Sequence, residues 1–97
     1  MRAILKVTIG NDEEGKQIHE RKLFDTDNME LICKKTNRFG IEIAKLYLSK
    51  SGVIVEEKKT STGEWELAIP LQEKEKDYIA QNEVERYVEL FGKVREG

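Results

Sequence analysis

The two residue types that most often perform chemistry, histidine and cysteine, occur once each, as His19 and Cys33. A structural zinc site normally takes four Cys or His ligands, so these two residues cannot complete one within the chain. A Cys–His nucleophile pair would require the second strand to lie directly under the first helix, and no third group or glycine-rich oxyanion loop accompanies it. We therefore interpret Cys33 as a core residue and His19 as a surface residue.

The acidic and glycine-containing segments show no ligand-binding motif. Asp12, Glu13 and Glu14 do not have the spacing of a calcium-binding loop and are typical of a solvated turn. The pattern G-x-G-x-x-G does not occur in the sequence, and the segment GNDEEGK over 10–16 lacks the Ser or Thr that follows the lysine of a phosphate-binding loop. We therefore expect no metal, no cofactor and no catalytic residue, and an enzyme would need a site assembled without a linear motif.

Three large aliphatic residues are the leading candidates for an interaction site. Leu31, Ile41 and Leu48 fall opposite the apolar stripe of a predicted first helix, where they would project into solvent. Large aliphatic side chains rimmed by charge indicate a contact patch. The sequence thus predicts a non-enzymatic interaction or regulatory module that presents the outer face of this helix, or a sheet edge, to a protein partner or to a second copy.

Basic residues on the same predicted helix favour an alternative function. A nucleic-acid-associated protein would use the local ridge formed by Lys34, Lys35, Arg38 and Lys45 to contact phosphates. Acidic residues share the helix face with these lysines, and they weaken the positive field that such binding requires. We therefore expect any nucleic-acid binding to be weak.

Composition limits the class of protein. The 97 residues are 37% charged and 38% hydrophobic, with a net charge of −2, which is typical of one small domain over residues 1–97 rather than of a strongly basic nucleic-acid or membrane-surface binder. No apolar run reaches the ~18–20 residues of a membrane span, and the N-terminal residues do not have the layout of a signal peptide. We expect a cytoplasmic protein.

The first half of the chain is predicted to form a hairpin and a long helix. Residues 2–9 alternate as in a half-buried strand, and residues 16–24 return as an outer strand after a polar turn. Asp27 and Glu30 have capping-box spacing, so the helix is expected over 27–50, with Gly40 inside it and Gly52 as its C-cap. The alternative ends the helix near Arg38 and makes residues 41–49 a strand.

The second half is predicted to form another hairpin and another helix. Residues 53–59 and 64–71 are expected to pair across the turn TSTG, with Trp65, Leu67 and Ile69 on the buried face. Residues 72–77 are interpreted as a solvated charge run, and a second helix is expected from about Glu83 to Phe91. Its apolar positions, which have coiled-coil spacing and are assigned to the core, are Ala80, Val84, Tyr87, Phe91 and Val94.

These elements predict an α+β fold in the order β-β-α-β-β-α. Strands that flank helices in this order favour an antiparallel sheet with both helices on one face, which is a two-layer sandwich.

Overall fold

The computed structural model describes residues 1–92, which form an α+β architecture of six strands followed by two helices. The strands are β1 (Arg2–Asn11), β2 (Gln17–Asp25), β3 (Glu30–Thr36), β4 (Glu42–Leu48), β5 (Ile54–Lys59) and β6 (Trp65–Ala68). The helices are α1 (Gln72–Asn82) and α2 (Val84–Phe91). All strand pairs are antiparallel: β1 and β2 form a separate hairpin, and β3, β4, β5 and β6 form a four-stranded sheet in that order.

One type of turn closes each of the four hairpins in the described part of the chain. A residue with a side-chain oxygen begins the turn, and a glycine with φ between 78° and 84° ends it. The glycine N–H donates to the carbonyl of the first residue, whose side chain accepts the N–H of the residue after the glycine. This is a tight turn followed by a left-handed residue, a common hairpin connection. The turns are 12–15, 37–40, 49–52 and 60–63.

The four-stranded sheet buries apolar residues on both faces. Ile54 and Val55 are adjacent in β5 and fully buried, and because strand side chains alternate they point to opposite sides. Ile54 belongs to a helix-side cluster with Leu46 and with Ile79 of α1, and α2 packs on the same side. Val55 belongs to a hairpin-side cluster with Phe24 of β2. The hairpin, the sheet and the helices therefore form three layers.

The long helix predicted over 27–50 is wrong, and so is the β-β-α-β-β-α order. Two strands, β3 and β4, occupy this region, so the alternative strand over 41–49 is close to the observed β4. The strand register shifts at Ile32 and skips Ile43, and the first shift leaves the neighbours Ile32 and Cys33 both buried in the helix-side cluster. Because these two irregularities interrupt strict alternation, the apolar residues of β3 and β4 also fit the spacing of a helix. Gly40 and Gly52 end turns at positive φ, and the predicted capping box is a 3-10 turn over Thr26–Asn28.

The predictions for the second half are closer to the structure. The hairpin formed by β5 and β6 is confirmed, with Leu67 buried, Ile69 packed beside it, and Trp65 half-buried. Residues 72–77 are not a loop, because they begin α1, whose Gln72 side chain bonds both the N–H and the carbonyl of Ile54 at 2.7 and 2.9 Å. A break at Glu83 interrupts the predicted coiled-coil seam, and Val94 lies outside the described residues.

The sandwich is not two-layered as predicted, because the β1–β2 hairpin adds a layer on the side away from the helices. The α+β class and the antiparallel pairing are confirmed. Within residues 1–92, neither helix has the length and apolar character that crossing a bilayer requires.

Candidate interaction surface

His19 and Cys33 lie in different layers. The exposed His19 is on β2, where its Nδ1 lies 3.2 Å from the hydroxyl of Thr8, whereas Cys33 is buried in the helix-side cluster. Burial, followed by the charge of Glu83, raises the pKa of the Cys33 thiol, so this thiol stays protonated and poorly nucleophilic. Residues 1–92 contain no grouping of three or more His, Cys, Asp or Glu side chains placed to hold a metal ion.

The predicted aliphatic patch is not assembled. Leu31 is 39% exposed on β3 and pairs with Tyr47, whereas Ile41 is 54% exposed at the far end of the β3–β4 hairpin. Leu48 packs against the helix-side cluster and is part of the core periphery. The prediction depended on one helix carrying all three residues, and two strands distribute them along and across the sheet.

The predicted basic ridge is also divided. Lys35 lies on the helix side, where its ammonium is 2.7 Å from Glu75, 3.8 Å from Glu56 and 4.4 Å from the ring centre of Tyr78. Lys34 and Lys45 pair across β3 and β4, and both ammonium groups lie within 4 Å of Glu42 carboxylate oxygens, at 3.7 and 3.4 Å. Arg38 lies over the ring of Phe39 in the turn. Ion pairs therefore neutralise three of the four cations.

A different surface presents exposed aliphatic and basic side chains together. The β1–β2 register places residues 2, 4, 6 and 8 on one face of the hairpin and residues 3, 5 and 7 on the other. The second face packs on the sheet, since Ala3, Leu5, Val7 and Phe24 belong to the hairpin-side cluster. The first is the hairpin outer face, formed by Arg2, Ile4, Lys6, Thr8, His19, Arg21, Leu23 and Asp25.

Aliphatic side chains occupy the middle of the hairpin outer face. Ile4 and Leu23 pair directly across the two strands and are 68% and 56% exposed. A cross-strand aliphatic pair stabilises a sheet by only about 0.2–1 kcal/mol, which is little compared with the cost of leaving two large apolar side chains in water. Such a pair is more informative than singly exposed aliphatic residues, which are ordinary on protein surfaces.

Unneutralised positive charge lies beside the aliphatic pair. Lys6 and Arg21 pair across the strands, and neither has a carboxylate partner within 4 Å among residues 1–92. Like charges directly opposite each other destabilise a strand pair. On the other side of the aliphatic pair, Arg2 lies 3.7 Å from Asp25. The face therefore has excess positive charge at one end and a balanced pair at the other.

Sequence reasoning missed this surface because the register of the hairpin is not set by its turn alone. Both strands of the first hairpin were recognised, but a bulge between Thr8 and Gly10 shifts the register by one residue, so placing the turn 12–15 does not by itself pair Ile4 with Leu23. Comparisons of the chain with protein-family models, curated proteins and solved structures found no match. The chemistry of the described residues is therefore the basis on which a function is assigned.

Proposed function

We propose that this chain is a non-enzymatic protein-interaction module whose hairpin outer face binds an extended segment of a partner protein. The observation that carries the proposal is the exposed cross-strand pair Ile4–Leu23 beside the unneutralised pair Lys6–Arg21. The proposed function is the one expected from the sequence, but the proposed binding surface is the hairpin outer face and not Leu31, Ile41 and Leu48.

The positive charge of the hairpin outer face indicates which residue types the partner segment should contain. An aliphatic side chain of the partner would cover Ile4 and Leu23 and remove their apolar area from water. A carboxylate on a neighbouring partner residue would then lie beside Lys6 and Arg21 and relieve their mutual repulsion. The partner segment is therefore acidic and aliphatic within a few residues.

The same features disfavour nucleic acid as the occupant. The hairpin outer face has no Phe, Tyr or Trp, and its one aromatic ring, the imidazole of His19, is a small stacking platform for a base. The hairpin turn carries Asp12, Glu13 and Glu14, whose charges repel a phosphate backbone that continues along the strands. The alternative ridge of Lys34, Lys35, Arg38 and Lys45 has less support still, because ion pairs already neutralise three of its four cations.

The size of the surface favours a peptide segment over a globular partner. Two strands about 5 Å apart and four cross-strand rows give a face roughly 20 Å long and only two strands wide. The area of such a face is well below that of a stable interface between folded domains. We therefore expect a transient complex with affinity in the micromolar range.

Selection from a random peptide display library on the immobilised protein tests the proposal. We expect enriched peptides to combine Asp or Glu with Leu, Ile or Phe. Ile4→Ser and Lys6→Glu should each abolish binding of these peptides, because the first removes apolar contact area and the second replaces attraction by repulsion. Circular dichroism should show that both variants remain folded, since neither side chain is buried.

Val84→Ser is the matched control, because Val84 is a similarly exposed aliphatic residue on α2. This variant should bind the selected peptides as the unmodified protein does. Equal binding to Ile4→Ser, or enrichment of peptides without acidic residues, would contradict the proposal. Binding of single-stranded oligonucleotides in place of peptides, lost on Lys34→Glu with Arg38→Glu, would support the nucleic-acid alternative.

A further inference from the structure

A cleft of about 360 Å³ lies where the base of the hairpin meets the turn between β4 and β5. This volume lies within the range of small-molecule sites and is far larger than one water molecule requires. Its walls come from three segments: Arg2 at the start of β1, residues 22–29 at the end of β2 and in the 3-10 turn, and the turn 49–52. The cleft is thus a product of the tertiary fold.

Positive charge predominates in the cleft. Three cationic side chains, Arg2, Lys22 and Lys50, and one carboxylate, Asp25, line it, which gives a local charge of +2 in a chain whose net charge is −2. Arg2 approaches Asp25 through Nε at 3.7 Å, so the guanidinium end remains available to a ligand. Low-dielectric walls strengthen the field of such a group of charges.

Lys22 is the cationic residue of the cleft that best indicates an anionic ligand. It pairs with Leu5 on the inner face of the hairpin and is half-buried. Among residues 1–92 its ammonium has neither a carboxylate within 4 Å nor a side-chain hydrogen bond. An ammonium that has no partner in the protein is available to pair with an anion in the cleft.

Polar donors and an apolar wall complete the cleft. The hydroxyls of Ser49 and Ser51 lie 3.0 Å apart, so one donates to the other and the second proton stays free. Thr60 and Thr62 form the same arrangement in the turn 60–63, which shows that the hydroxyl pair belongs to the turn and that the cations distinguish the cleft. Phe24 and Met29 supply an apolar wall.

We propose that this cleft binds a phosphomonoester that carries an apolar or aromatic body. A phosphomonoester has a charge of about −1.5 to −2 at pH 7, which matches the +2 of the lining residues better than a carboxylate does. Lys22 and Lys50 contact the phosphate, and the ester group packs on Phe24 and Met29. The site is separate from the proposed peptide-binding function, although Arg2, Leu23 and Asp25 belong to both surfaces.

Titration with phenyl phosphate, followed by amide NMR shifts, tests the assignment. We expect saturable shifts at Leu23, Met29 and Ser51. Lys22→Met and Lys50→Met, which retain most of the aliphatic stem, should each raise the Kd about tenfold, as expected for loss of one charge-assisted hydrogen bond. Lys6→Met is the matched control, since it removes the same charge from the hairpin outer face and should leave the Kd unchanged.

Two further ligands test whether the apolar body of the phosphomonoester contributes to binding and whether the ligand is a modified protein or a small molecule. Inorganic phosphate should bind more weakly than phenyl phosphate because it cannot use the apolar wall, and equal affinity would contradict that part of the assignment. A short phosphotyrosine peptide that binds more tightly than phenyl phosphate would identify a modified protein as the source, and weaker binding would identify a small molecule.

The outcomes separate this site from the peptide surface. Ile4→Ser should abolish peptide binding and leave phenyl phosphate binding intact. The absence of saturable shifts at the cleft, or equal weakening by Lys6→Met and Lys22→Met, would overturn the phosphomonoester site without affecting the proposed function.

Discussion

At the scale of single residues, Arg86 joins α2 to the edge strand β3. Its guanidinium donates to the carbonyls of Leu31 and Ile32 at 2.7 and 3.2 Å and also lies 3.3 Å from Glu30. These carbonyls lie where the register of β3 shifts, so the strand ladder is interrupted at this point. Arg86 therefore satisfies backbone acceptors at an edge that would otherwise attract another strand.

Arg86→Met should lower the free energy of unfolding by about 1–3 kcal/mol, because methionine keeps the apolar stem but leaves two carbonyls without their donor. Urea denaturation measures the loss. Arg38→Met is the control, since Arg38 lies over Phe39 in an exposed turn and its loss should cost less than about 1 kcal/mol. Equal losses in the two variants would show that the carbonyl contacts contribute nothing.

At the scale of elements, the four hairpin turns repeat one sequence pattern. Each begins with Asp, Asn, Ser or Thr and has glycine three residues later, in the segments DEEG, NRFG, SKSG and TSTG. The side-chain oxygen at the first position and the positive φ at the last are both required by the turn geometry. This recurrence was the available signal that NRFG and SKSG connect strands and do not lie within or end a helix.

Gly40→Ala should therefore destabilise the protein by about 1–2 kcal/mol, the cost of placing a side chain in the left-handed region, since Gly40 has φ of 78°. A long helix over 27–50 would have predicted the opposite sign, because alanine stabilises a helix relative to glycine. Chemical denaturation distinguishes the two. Gly40→Asn should lose less stability than Gly40→Ala, because asparagine tolerates this conformation better.

At the scale of the whole molecule, apolar burial is distributed unevenly. The two clusters meet back to back at Ile54 and Val55, whereas every residue from 8 to 21 is exposed. The radius of gyration of 14.9 Å exceeds the ~12.5 Å of a compact domain of this length, as expected if the hairpin extends beyond the sheet. Backbone pairing holds the distal hairpin together with little help from a core.

Native-state hydrogen exchange should show this difference. Amides of residues 8–21 that are bonded across the hairpin should exchange through local opening, whereas those of β4 and β5 should require nearly the full unfolding free energy. The protection of Leu46 and Val55 is the internal reference, since both side chains are fully buried. Equal protection in the two regions would mean that the distal hairpin opens only when the whole protein unfolds.

Sequence patterns were enough to predict the α+β class, the pairing of β1 with β2 and of β5 with β6, and the burial of Leu67, because alternation and turn residues are local properties. The interpretation of Cys33 as a core residue and His19 as a surface residue is also confirmed, because free cysteine is usually buried and residues 16–24 are mostly polar.

The rest of the fold, and the placement of the residues on which both proposals rest, depend on tertiary contacts. Residues 30–48 fit a helical period because two register irregularities break the strict alternation of β3 and β4, and only pairing with β5 and packing under α1 select strands. Packing of the hairpin on Val55 and Leu67 turns Ile4 and Leu23 outward and brings Lys22 to the turn 49–52. Such placements depend on contacts between distant segments, for which a linear pattern carries no signal.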